Sequence, residues 1–136
     1  MLSRLPSWDT RLDAFLQAND RRRFRYGVWD CGIFSGDAVL AMTGVDLAGH
    51  CRDRYTTRKG AMELVGSVRR LAETTLTEFD EVPPAAARRG DVVLISWGGR
   101  ESLGVVALDG RNAVTVGLKG LRYVPVIPNV VRAWRI

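Results

Sequence analysis

Histidine and cysteine are scarce in this chain of 136 residues, which has one histidine, His50, and two cysteines, Cys31 and Cys51. With no CxxC spacing and a single imidazole, the sequence falls short of the four ligands that a structural zinc site takes, so neither a metal nor a cofactor is expected. A disulfide is not expected either. No secretory context supports one, and the helix reading below puts the two cysteines at opposite ends of a helix. The sequence also lacks any run of eighteen apolar residues, and the N-terminal stretch MLSRLPSWDTRLDAF carries charges where a signal peptide has its apolar core. Membrane insertion and Sec export are therefore not expected, and synthesis and first folding are placed in the cytoplasm. No internal repeat is visible.

What is present reads as an ordinary folded chain. Hydrophobic residues make up 46% of the sequence, and a single domain over 1–136 of this length buries about two-thirds of its unfolded surface. The formal charge is +5, from 20 Lys and Arg against 15 Asp and Glu. Basic residues cluster at Arg21, Arg22 and Arg23 with Arg25, at Arg52, Arg54, Arg58 and Lys59, and at Arg69–Arg70 and Arg88–Arg89. Such clusters can hold phosphates, but no nucleic-acid motif accompanies them, so nucleic-acid binding is not expected. Arginine is enriched at protein interfaces, and an acidic partner surface is the expected neighbour of Arg21, Arg22 and Arg23.

The pattern divides into a helical half, about 7–80, and a β-rich half, about 90–136. A first helix begins at Ser7 or Asp9, with Trp8, Leu12, Phe15 and Leu16 on one face. A second begins near Cys31, where Ile33, Phe34, Ala38, Ala41 and Met42 cover much of the surface and Gly32 and Gly36 require tight packing to offset their helix cost. Gly44 reads as its C-cap. A further helical stretch carries Ala61, Leu64, Val65, Val68 and Leu71, with Gly66 a break or bend. After Pro83–Pro84 come five β-prone runs: Val92–Ile95, Leu103–Leu108, Ala113–Val116, Leu121–Val126 and Val131–Trp134. Asp109–Gly110 reads as a two-residue hairpin turn. Helices followed by short antiparallel strands indicate an α+β domain with a small barrel-like sheet.

The stretch from Phe24 to Asp37, FRYGVWDCGIFSGD, carries the chemistry. A cysteine opening a helix can be a nucleophile, because unpaired backbone N–H groups and the helix dipole favour its thiolate. It can equally be a small buried hydrophobe. Asp30 reads as the N-cap, and its charge opposes thiolate formation beside it.

Together with RRGDVVLI and LGVVALDG, this block resembles the NlpC-type branch of papain-like cysteine peptidases, small versions of which occur in tailed phages and prophages. The resemblance runs from about Trp8 through most of the chain. It implies a papain-like NlpC-type fold, with N-terminal helices packed on a small antiparallel barrel-like sheet, and Cys31 as the candidate nucleophile. The family's histidine opens the strand after the GD-initiated one; here that position is Ser102, whose side chain is expected to face Cys31. The family's third polar residue would fall at Thr115. A peptidase cleft would be lined by Tyr26, Trp29 and Trp97.

His50 is not expected to substitute as base. A helix from Cys31 to about Thr43 spans about 18 Å, and the chain from Gly44 would have to return almost straight to bring the imidazole back. Two readings follow from the resemblance. One is a structural component of a phage or phage-like tail tip or baseplate, located in the virion, built on a degenerate cysteine-peptidase fold and contacting other tail-tip proteins. The other is a cysteine endopeptidase or amidase cleaving peptidoglycan stem peptides during cell-wall penetration. A nucleophile without its general base forfeits about 10² to 10⁴ in rate, which favours the first.

Overall fold

The computed structural model describes residues 3–136. Helix α1 spans Trp8–Ala18 and buries Leu12 and Leu16, with Trp8 and Phe15 packed beside them, the face that the spacing of the sequence defines. Helix α2 spans Cys31–Thr43 and ends at Gly44, whose φ of 80° closes the C-terminus in the left-handed conformation that glycine adopts without strain. It is apolar nearly all round. Ile33, Phe34, Ala38, Val39 and Met42 are buried, as a helix in the centre of a core must be.

The next helical stretch is two helices, α3 (Arg58–Val65) and α4 (Val68–Thr75). Gly66 separates them at φ 83°, and the Ser67 side chain caps α4 by accepting from Arg70 N. Leu64, counted as core from its spacing, is exposed, because α3 buries only Ala61.

Six strands follow: β1 (Glu81–Val82), β2 (Val92–Trp97), β3 (Arg100–Val106), β4 (Asn112–Val116), β5 (Leu121–Pro125) and β6 (Val130–Trp134). They form one antiparallel sheet in the order β1-β6-β2-β3-β4-β5. The helix-then-sheet α+β architecture matches the reading of the sequence. The sheet remains open, with β1 and β5 at its edges. The β3–β4 connection is longer than a two-residue turn: Ala107 N donates to Asn112 O, leaving Leu108–Arg111 as the loop. The Asp109 carboxylate fixes it by accepting from the backbone N–H groups of Arg111 and Asn112.

Strand alternation sorts the sheet into two faces. Val92 and Leu94 of β2, Leu103 and Val105 of β3 and Val114 of β4 pack toward the helices in the main core. Val93, Ile95, Val106, Ala113 and Val130 form a second cluster on the opposite face, together with Val126 from the β5–β6 connection.

Asp91 locks the start of β2 to both ends of the chain. Fully buried, its carboxylate accepts from Arg88 N and Ile136 N and pairs with Arg4 at 3.1 Å and Arg135 at 3.5 Å. The GD pair of the sequence thus does its work in architecture.

Candidate functional site

Cys31 is the first residue of α2, immediately after its N-cap. The Asp30 carboxylate is buried and fully engaged. One oxygen accepts from Ile33 N at 3.0 Å, and the other accepts from Gly27 N at 3.0 Å and from the Tyr55 hydroxyl at 2.6 Å. All three partners are neutral, so no cation offsets the carboxylate beside the thiol.

The loop that follows α2 contradicts one expectation drawn from the sequence. It does not leave His50 and Cys51 at the far end of the helix; it runs back along it. The Asp46 carboxylate accepts from Ala48 N, and Arg52 ties Asp46 to Asp37 on α2. Asp53 N donates to Gly27 O at 2.8 Å, and Tyr55 then reaches Asp30. Two glycines make this return possible. A Cβ on Gly36 would lie 2.4 Å from the Ala48 Cβ, and one on Gly27 would lie 2.1 Å from the Tyr55 carbonyl oxygen. Cys51 is consequently buried near Asp30, whose charge adds to burial in raising its pKa. Both cysteines are free.

The same return closes a small apolar cavity of about 30 Å³ between α2, residues 47–51 and α4, with His50 on its wall. This is room for about two water molecules. Among the described residues, no hydrogen bond joins His50 or any carboxylate to the Cys31 thiol.

Around Cys31 the packing is apolar. The residue packs against the main core, and a Cβ on the adjacent Gly32 would sit 2.8 Å from Leu71 Cδ2 of α4. Burial pushes the Cys31 thiol up to about 11; the Leu103 backbone N–H pulls the other way, Asp30 adds to the rise, and the N–H groups of the helix start recover part of it. A helix N-terminus alone would lower this pKa. Here desolvation outweighs it.

The other sequence-derived positions fall as follows. Leu103 lies on the sheet face toward α2. Ser102 precedes it in β3 and pairs across the ladder with Ile95, which belongs to the opposite cluster, so alternation puts Ser102 on the face away from Cys31. Thr115 is buried, and its hydroxyl donates to Leu103 O at 2.7 Å, holding β4 to β3. Trp29 is a core residue with no exposed surface, edge-on to Phe34 and covered by the Arg22 guanidinium at 4.3 Å. Trp97 lies exposed at the β2–β3 hairpin, so the two tryptophans do not line one cleft. Tyr26 packs edge-on to Phe24 and Tyr55.

Reasoning from sequence missed Tyr55, Cys51 and Leu103 as the groups that define this corner. The available signal was Asp30. A buried N-cap carboxylate has two oxygens, and the second needed a donor from outside the helix.

The family described as a domain of unknown function, DUF6950, matches residues 3–136. The chain belongs to that family. No curated protein matches it in sequence. Among solved structures it resembles RipD from Mycobacterium tuberculosis, described as a non-catalytic NlpC/p60 domain protein with an adaptation to peptidoglycan-binding function. The TM-score is 0.51 at 17% identity, over 97% of this chain and 99% of RipD. The DUF6950 chain thus has an NlpC/p60-like fold.

Proposed function

We propose that the protein is a non-catalytic NlpC/p60-type module that acts by binding, as a structural component of a phage or phage-like tail tip. The observation that carries the non-catalytic reading is the lack of a base at Cys31 among the described residues. Cys31 is half-buried against the main core, burial pushes its thiol toward the protonated form, and no imidazole or carboxylate is hydrogen-bonded to it. Acyl transfer by cysteine needs a base within hydrogen-bond reach to form the thiolate and later to protonate the leaving amine. Ser102 faces the wrong side of the sheet to serve, and the Asp30 carboxylate has committed its oxygens to Gly27, Ile33 and Tyr55. RipD, described as non-catalytic and adapted to peptidoglycan binding, supports a binding role on this fold. The tail-tip setting rests on the resemblance of the FRYG-x-x-DCG block and its following strands to small phage members of the NlpC-type branch.

The test uses purified peptidoglycan sacculi and assembled particles. The intact protein is expected to release no new amino groups from sacculi, and Cys31→Ala is expected to leave sacculus retention and particle infectivity unchanged. Reversal of Arg21, Arg22 and Arg23 is expected to lower incorporation, since like charges set against one another at an interface cost several kcal/mol. Release of stem-peptide amines that Cys31→Ala abolishes would establish the peptidoglycan hydrolase instead.

A further inference from the structure

A second surface, remote in sequence from the cysteine corner, carries unpaired charge of both signs side by side. The β4–β5 turn docks on the end of α1: Leu121 N donates to Asp20 O at 2.9 Å, and a Cβ on Gly120 would lie 3.4 Å from the Arg21 Cα. That contact brings the turn that carries Lys119 up to Arg21, two segments about a hundred positions apart. Leu118 projects from the turn with 80% of its surface exposed. Next to this basic tip runs a groove of about 480 Å³ between α1 and the β3–β4 loop. Asp13, Asp20 and Asp109 rim it, Leu16 and Leu108 form apolar wall, and Tyr123 stands half exposed within it. Burial raises the Tyr123 pKa, and the fields of these three aspartates add to the rise.

Among the described residues, none of these cations or carboxylates takes part in an ion pair, although Arg4, Arg52, Arg69, Arg132 and Arg135 all do. The tip and the groove are adjacent, yet the groove's aspartates do not neutralise the tip's cations within the chain. A two-fold axis between such patches solves both problems at once, because an isologous interface sets each patch against its complement on the other copy. An exposed leucine beside Lys119 and Arg21 suits a groove whose Leu16 and Leu108 wall is rimmed by carboxylates, whereas a nucleic acid or other polyanion would leave Leu118 without a partner and be repelled by the three aspartates.

We infer that the protein forms a two-fold dimer in which the Leu118 tip of each copy enters the Asp13–Asp20–Asp109 groove of the other. The dimer draws on Arg21, which the proposed function also sets against an acidic neighbour; Leu118→Asp, which leaves Arg21, Arg22 and Arg23 in place, tests the dimer apart from that reading.

Sedimentation velocity on the full chain tests it, in low and high salt, with circular dichroism to verify folding of each variant. The wild type is expected to dimerise, and added salt is expected to weaken the dimer by screening its rim charges. Leu118→Asp, which sets a carboxylate among carboxylates, is expected to weaken association by about tenfold or more. A groove variant (Asp13→Arg with Asp20→Arg) and a tip variant (Arg21→Glu with Lys119→Glu) are each expected to be monomeric alone. Mixed together they are expected to form a heterodimer, since each tip then meets a groove of opposite charge. A wild-type chain that stays monomeric at millimolar concentration in low salt would overturn the proposal. So would a dimer that survives both charge variants, or charge variants that fail to associate when mixed.

Discussion

Asp30 and Asp91 are both buried aspartates beside a glycine-containing turn, and each stands in one of the two short motifs, DCG and RRGD, that give the sequence its peptidase look. They differ in how their charge is met. Asp91 sits between two guanidiniums, Arg4 and Arg135, and joins the start of β2 to both ends of the chain. Asp30 has only neutral donors; burial raises the pKa of Cys31, Cys51 and Tyr55, and the Asp30 charge adds to each rise. The comparison teaches that one kind of motif can build two kinds of corner. One is an ion-paired clasp. The other is a negative, apolar enclosure in which a thiolate is disfavoured.

The sharpest way to break the comparison is at the clasp. Asp91→Ala leaves Arg4 and Arg135 around an empty anion site, and is expected to destabilise the fold by about 3 kcal/mol or more in urea unfolding. Asp30→Ala removes an N-cap and orphans the Gly27 N–H and the Tyr55 hydroxyl without stranding a charge. A smaller loss, about 2 kcal/mol, is expected by the same measurement. Equal losses would mean that the two corners do not differ in the way argued.

A subtler contrast lies in pH. The Cys31 pKa is raised from 9.0 to about 11 on folding, so the folded state holds the proton more tightly than the unfolded chain does. The stability this contributes is complete below pH 9 and is lost as pH rises toward about 11. Unfolding midpoints across this window are expected to fall less steeply for Cys31→Ala than for the wild type.

How far the sequence disclosed all this varies from element to element. The α1 face of Trp8, Leu12, Phe15 and Leu16, the start of α2 at Cys31, the break at Gly66 and the strands after Pro84 are local consequences of periodicity, caps and turn residues, and they are legible. The return of residues 45–55 along α2 is not, because it depends on two glycines admitting Ala48 and Tyr55 from elsewhere in the chain. That single misplacement carries His50 and Cys51 with it. Ser102 illustrates a second limit: alignment by motif locates a position in a strand, but the face it presents depends on register with β2, which pairing in three dimensions sets. The Cys31 pKa inverts for a related reason. A helix N-terminus is readable from DCG, whereas its desolvation comes from burial against the main core, which tertiary packing sets.

The central claim, that Cys31 is a half-buried thiol held in its protonated form and not a nucleophile, is tested most directly by the rate of iodoacetamide alkylation of the folded wild-type protein. Peptide mass mapping assigns the modification to Cys31 or Cys51. The account predicts that at neutral pH Cys31 reacts at least about a hundredfold more slowly than a free cysteine, as expected when both thiolate fraction and access are reduced, with the rate climbing only as pH approaches 11. Alkylation of Cys31 at pH 7 as fast as that of a free cysteine, or faster, would contradict it.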